Sequence, residues 1–76
     1  MEVKVYSTPS CPYCHMEKAW LTKSGVKFHD INVAEDQAAA EEMIEKSGQM
    51  GVPVITIDDQ LVIGFDQQKL MELLGV

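Results

Sequence analysis

The chain reads as an α/β domain with the element order β-α-β-α-β-β-α. Three observations predict this. Short runs rich in Val, Ile, Tyr and Thr stand near both ends of the sequence. Segments with apolar residues at helical spacing lie between and after them. Gly, Ser and Asp stand at the joints, where helices start and stop. A helix between the first two strands makes them parallel, with a right-handed crossover. The last two strands are close enough for a hairpin. The expected product is a four-stranded mixed sheet with helices on both faces. All 76 residues are expected in one domain with short loops.

The first strand covers Glu2 to Ser7, which alternates and is rich in β-branched and aromatic residues. Thr8-Pro9-Ser10 is a loop. A helix then runs from Pro12 to about Ser24. Met16, Ala19, Trp20 and Lys23 fall at i, i+3, i+4 and i+7, which marks its inward face. Gly25 closes it in the left-handed conformation. Val26 to Val33 reads as the second strand, with Phe28 and Ile31 buried. Asp36 caps a helix that reaches about Lys46, with Ala40, Met43 and Ile44 inward, and Ser47-Gly48 ends it. The third strand is Val52 to Ile57, opened by Pro53 where no ladder donor is lost. Asp58-Asp59-Gln60 turns the chain into Leu61-Val62-Ile63. Asp66 caps a last helix with Leu70, Leu73 and Leu74 inward.

The formal charge of −6, from six lysines against twelve acids, argues against nucleic acid and anionic membranes as partners. No segment approaches the ~20 apolar residues of a membrane span, and no basic start precedes an apolar run. A cytoplasmic monomer is expected.

Cys11 and Cys14 are the only cysteines, and they form Cys-Pro-Tyr-Cys at a helix start. A loop this short constrains little chain entropy, so a purely structural staple there stabilises weakly. With Cys11 at the N-cap, Pro12 takes the first helical position, where its fixed φ fits. The amides of Tyr13 and Cys14 then face the Cys11 sulfur, and the helix dipole adds positive potential. Both favour thiolate at Cys11. A helix-start thiol titrates between about 3.5 and 7.5, against ~8.5 when free. Cys11 is thus the nucleophile, and Cys14, one turn in, resolves the mixed disulfide. Half of a zinc site is the other reading. His15 and His29 could complete a Cys₂His₂ set, but His15 points about 100° away from Cys14 and no His-x₃₋₅-His pair exists. No metal site and no bound cofactor are expected.

Val5 to Cys14, Gly51-Val52-Pro53-Val54 and Gly64-Phe65-Asp66 together resemble the glutaredoxin family of the thioredoxin fold. The resemblance covers nearly the whole chain. It implies a dithiol–disulfide oxidoreductase acting on protein or small-molecule disulfides. It also implies a cis Val52–Pro53 peptide facing the disulfide, and a Val52 backbone that pairs with an extended thiol substrate such as glutathione. Gly64 and Asp66 match positions that hold the γ-glutamyl end of glutathione; Phe65 lies between them, and Tyr13 would flank the groove beside Pro12. Thr8 stands where the family usually has Lys or Arg for the glycyl carboxylate, and Gly51 where it usually has Thr. The Gly64-Phe65 stretch is also similar to redoxins that serve ribonucleotide reductase. The implied partners are disulfide-bearing proteins, and either glutathione or a flavin disulfide reductase as electron donor. A metal or iron–sulfur carrier using Cys11 is the rival from another class, and Cys14 speaks against it.

Overall fold

The computed structural model describes residues Met1 to Val76. Its elements are β1 (Val3–Ser7), α1 (Pro12–Lys23), β2 (His29–Asn32), α2 (Gln37–Ser47), β3 (Val54–Ile57), β4 (Gln60–Ile63) and α3 (Gln67–Leu74). The sheet order is β2-β1-β3-β4. β1 runs parallel to β2, with Val5 opposite Asp30, and antiparallel to β3, with Val5 opposite Ile55. β3 and β4 close the expected hairpin. This is the thioredoxin fold.

Strand alternation splits the core in two. Val3, Val5, Ile55, Ile57 and Val62 face one way and pack with Leu21 of α1 and Leu70 of α3. Trp20, Val26, Phe28, Phe65, Leu73 and Leu74 extend that cluster. Tyr6 and Val54 face the other way, against Ala39 and Met43 of α2. On that side the Tyr6 hydroxyl donates to Glu42 Oε1 at 2.8 Å, and Lys46 Nζ donates to the same oxygen at 2.9 Å. The bonds from Lys46 and Tyr6 hold the Glu42 carboxyl below its usual range, while burial raises the Tyr6 phenol.

Each helix start uses a side chain to satisfy an orphan amide. Asp36 Oδ1 accepts from the Ala39 N–H at 3.0 Å, and Asp66 Oδ1 from the Lys69 N–H at 3.2 Å. Gly48, at φ 72°, ends α2 in the left-handed region that suits glycine.

Several expectations need correction. The inward stripe of α1 is not Met16, Ala19, Trp20 and Lys23. It is Cys14, Glu17 and Leu21; Met16, Ala19 and Lys23 are exposed and Trp20 is half-buried. The two stripes lie about 140° apart at 3.6 residues per turn. The apolar count favoured the wrong one because an acid occupies the true one. In α2, Ala39 rather than Ala40 is buried with Met43, and Ile44 lies exposed. β2 is shorter than Val26–Val33, because Val26 and Phe28 pack under the sheet without joining its ladder. β3 starts at Val54, after Pro53, so the proline precedes the strand.

Asp36→Ala removes the α2 cap and should cost about 1 kcal/mol. Thermal unfolding should show this as a midpoint lowered by about 4–8 °C.

Candidate functional site at the start of the first helix

Cys11 is the N-cap of α1, in extended conformation at φ −95° and ψ 109°. Its sulfur accepts the Cys14 N–H at 3.1 Å. The Tyr13 amide, also expected to donate, makes no such bond. The Cys11 N–H donates to the Thr8 carbonyl at 3.3 Å, and the Cys11 carbonyl accepts from the His15 N–H at 3.2 Å. Pro12 takes the first helical turn as expected. The two cysteines are joined as a disulfide, with Cα atoms 5.2 Å apart. Cys11 is half-buried and Cys14 is wholly buried. One sulfur can therefore meet a partner while the other cannot.

The Val52–Pro53 peptide is cis. Pro53 is buried, and the Val52 carbonyl oxygen lies 3.9 Å from the Cys11 sulfur. The Gly64 N–H donates to the Pro53 carbonyl at 2.9 Å, which ties the Gly64-Phe65-Asp66 segment to this loop. Gly64 holds φ 78°, a left-handed backbone. Asp66 is exposed, and one carboxylate oxygen caps α3. Phe65 is committed elsewhere: its ring meets Trp20 edge-on at a centroid distance of 6.1 Å. Tyr13 and Met16 on α1 and Met50 before the loop are exposed. Thr8 is half-buried beside the disulfide loop. His15 does not stand free in solvent, as its Nε2 lies 2.7 Å from the Pro9 carbonyl oxygen. None of the three surface hollows is lined by Cys11, Cys14, Val52 or Pro53.

The glutaredoxin family model matches residues 3–62, which spans the disulfide, the Val52–Pro53 loop and all four strands but for the end of β4. The chain belongs to the glutaredoxin family. It is 43% identical over 72 residues to a glutaredoxin-like 8.6 kDa protein in the rubredoxin operon of Clostridium pasteurianum, covering 95% of this chain and 96% of that one. It is 40% identical over 73 residues to glutaredoxin 3 of Escherichia coli, covering 96% and 88%. Among solved structures it is similar to the NrdH-redoxin of Escherichia coli, with a TM-score of 0.86, 29% identity, and coverage of 96% and 95%. With its cysteine pair, this glutaredoxin-family chain is a thiol–disulfide oxidoreductase.

Sequence reasoning missed Glu17. It is 0% exposed, and neither carboxylate oxygen has a hydrogen-bond partner. Burial alone pushes its carboxyl from 4.5 up to about 8. Cys14 was the signal that could have found it. A resolving cysteine must face the partner cysteine rather than solvent, and the residue three further on shares its face.

A carboxyl raised in the folded state binds its proton more tightly there than in the unfolded chain. The folded protein therefore loses stability as pH rises from about 4.5 to about 8, by about 1.4 kcal/mol per pH unit, and no further above that. Glu17→Leu should remove this slope and raise stability at pH 7 by roughly 3 kcal/mol. Urea unfolding of both proteins between pH 5 and about 8 checks it; parallel curves would contradict the burial of a lone carboxyl.

Proposed function

We propose that the protein reduces disulfides of other proteins and is itself recharged by a flavin disulfide reductase of the thioredoxin-reductase type, with glutathione a slower donor. The observation that carries this is the lack of a cation around Cys11. Neither residues 8–13, nor 49–53, nor 64–66 contain lysine or arginine. Three of the six lysines are paired with acids, Lys4 with Glu2 and Glu42, Lys18 with Asp30 and Lys46 with Glu42. Glutathione would thus bring its glycyl carboxylate to a site without a counter-charge. A missing charge-assisted hydrogen bond costs about 1.5–3 kcal/mol, or about ten- to a hundredfold in affinity. The likeness to the NrdH-redoxin supports the same reading, since that protein is described as having a thioredoxin-like activity profile.

In this reading Cys11 thiolate, held by the Cys14 N–H, attacks one sulfur of the partner's disulfide. The partner's other sulfur leaves as a thiolate and takes a proton from water. Cys14 then attacks the Cys11 sulfur, displaces the partner's remaining thiol and closes the Cys11–Cys14 bond. Two electrons pass to the partner, and the donor reductase returns them. The Val52 backbone beside Cys11 offers an edge for an extended segment to add as a short strand. Exposed Tyr13, Met16 and Met50 supply apolar contact for a protein, whereas no hollow at Cys11 encloses a small molecule. Gly64 and Asp66 match the family positions for the γ-glutamyl end of glutathione, and this match supports glutathione as the second donor. The dithiol state suits a reducing compartment such as the cytoplasm, and the chain's acidity disfavours nucleic acid and anionic membranes as partners.

NADPH consumption tests the donor, with thioredoxin reductase in one arm and glutathione plus glutathione reductase in the other. Turnover should be faster with thioredoxin reductase. Thr8→Lys should raise the glutathione-dependent rate, by about tenfold if ~1.4 kcal/mol of carboxylate binding is recovered. Fast turnover of the wild type with glutathione, unchanged by Thr8→Lys, would overturn the assignment.

A further inference from the structure

Glu17 occupies a position where the fold asks for an apolar side chain. It sits between Cys14 and Leu21 on the buried stripe of α1, and all three are 0% exposed. Both of its oxygens lack partners. No charged group comes to it from the elements packed around it. Its helical neighbour Lys18 pairs with Asp30 of β2 at 3.1 Å, and Asp30 also takes the Ser7 hydroxyl at 3.0 Å. His15 is turned to the Pro9 carbonyl, and Lys23 is exposed in the last turn of α1. On β1, Lys4 and the Tyr6 hydroxyl belong to the α2 side, where they meet Glu42. β3 and β4 carry no ionisable side chain. Asp66, Lys69 and Glu72 at α3 are exposed.

The place of the carboxyl relative to Cys14 is the second observation. Residues i and i+3 of a helix are surface neighbours, with Cβ atoms about 5–6 Å apart. A long helical side chain also leans back over the turn N-terminal to it. The Glu17 side chain is thereby directed toward the turn that carries Cys14. Cys14 needs such a group. The Cys11 sulfur has the Cys14 N–H as its donor; the Cys14 sulfur accepts no hydrogen bond in the structure. When the disulfide opens, Cys14 leaves as a buried sulfur anion, without solvent to protonate it.

We propose that the Glu17 carboxyl group is the proton donor and acceptor for Cys14. When the disulfide is reduced, a thiolate of the donor attacks the Cys11 sulfur. The Cys11–Cys14 bond breaks, and Cys14 takes the electron pair together with the Glu17 proton, directly or through one water. Glu17 is left as a carboxylate. When a substrate mixed disulfide on Cys11 is resolved, the Cys14 thiol returns its proton to Glu17 as its sulfur attacks Cys11. The substrate sulfur departs with the other electron pair. Glu17 ends each cycle as it began, a neutral acid beneath a closed disulfide, so its burial is tolerated in the resting state. The raised carboxyl, at about 8, keeps it mostly protonated at neutral pH. This inference rests on the dithiol chemistry of the site and not on which donor recharges it.

Stopped-flow opening of the Cys11–Cys14 disulfide by dithiothreitol, followed from pH 6 to about 9 and corrected for the thiolate fraction of the reductant, tests it. The wild-type rate should fall as pH rises through about 8. Glu17→Gln should be about tenfold slower at pH 7 and flat with pH, and Glu17→Asp should keep part of the pH dependence. Carboxyl carbon NMR provides a readout that packing alone would not move. The Glu17 midpoint should differ between the disulfide and dithiol forms, because the two groups share a proton. Should Glu17→Gln unfold, that NMR comparison on the wild type decides alone. A rate and pH profile unchanged in folded Glu17→Gln, or a Glu17 midpoint indifferent to the redox state, would overturn the proposal. A wild type whose disulfide dithiothreitol opens, but which reduces no protein disulfide, would instead count against the proposed function.

Discussion

The contact between the Cys14 N–H and the Cys11 sulfur organises the reactive end of the molecule. An α-helix leaves its first amides without intrahelical acceptors. Here one of them is satisfied by a sulfur at 3.1 Å, where α2 and α3 use aspartate oxygens. The choice of cap turns a routine structural need into chemistry. The group that completes the helix start is also the group that becomes an anion, and helix and anion stabilise each other. Pro12 suits this arrangement because its missing N–H leaves the cap to the amide of Cys14.

The rest of the fold brings a second chain segment to that sulfur and holds the helix at the correct rotation. β1 delivers the chain to Thr8, and β3, its antiparallel neighbour, places the Val52–Pro53 loop on the other side of Cys11. The Gly64 bond to the Pro53 carbonyl then links the loop to the start of α3. Rotation of α1 is fixed by Leu21 in the core below, and it sends Cys14 and Glu17 inward together. Burying one cysteine and half-exposing its partner separates the two sulfurs by access, even though they are three residues apart.

Element order, the parallel β1–β2 pair, the β3–β4 hairpin, all three caps and the Cys11–Val52 proximity were legible from the sequence, because each rests on local chemistry or on motifs in register. The antiparallel pairing of β1 with β3 came only from the structure. Strand ends were less legible. Val26 and Phe28 are apolar and β-prone, yet they pack beneath the sheet, and periodicity does not distinguish that from membership in it. The face of α1 was misread for a different reason. Counting apolar residues assigns Glu17 to water, and only the need for Cys14 to face its partner sulfur rather than solvent reveals that the helix turns the other way. Buried charge is the feature that hydrophobic patterning is built to overlook. Phe65, grouped by motif with Gly64 and Asp66, belongs to the core through Trp20, so adjacency in sequence did not imply a shared role.

The central claim is that cap geometry and burial together divide the labour between two otherwise similar thiols. Ultraviolet titration of thiolate in the single variants Cys14→Ser and Cys11→Ser tests this most directly, since each leaves one sulfur and the backbone amide in place. The account predicts that the sulfur of Cys11 ionises between about 3.5 and 7.5, while that of Cys14 ionises above the ~8.5 of a free thiol. Two variants that titrate alike near ~8.5 would contradict it.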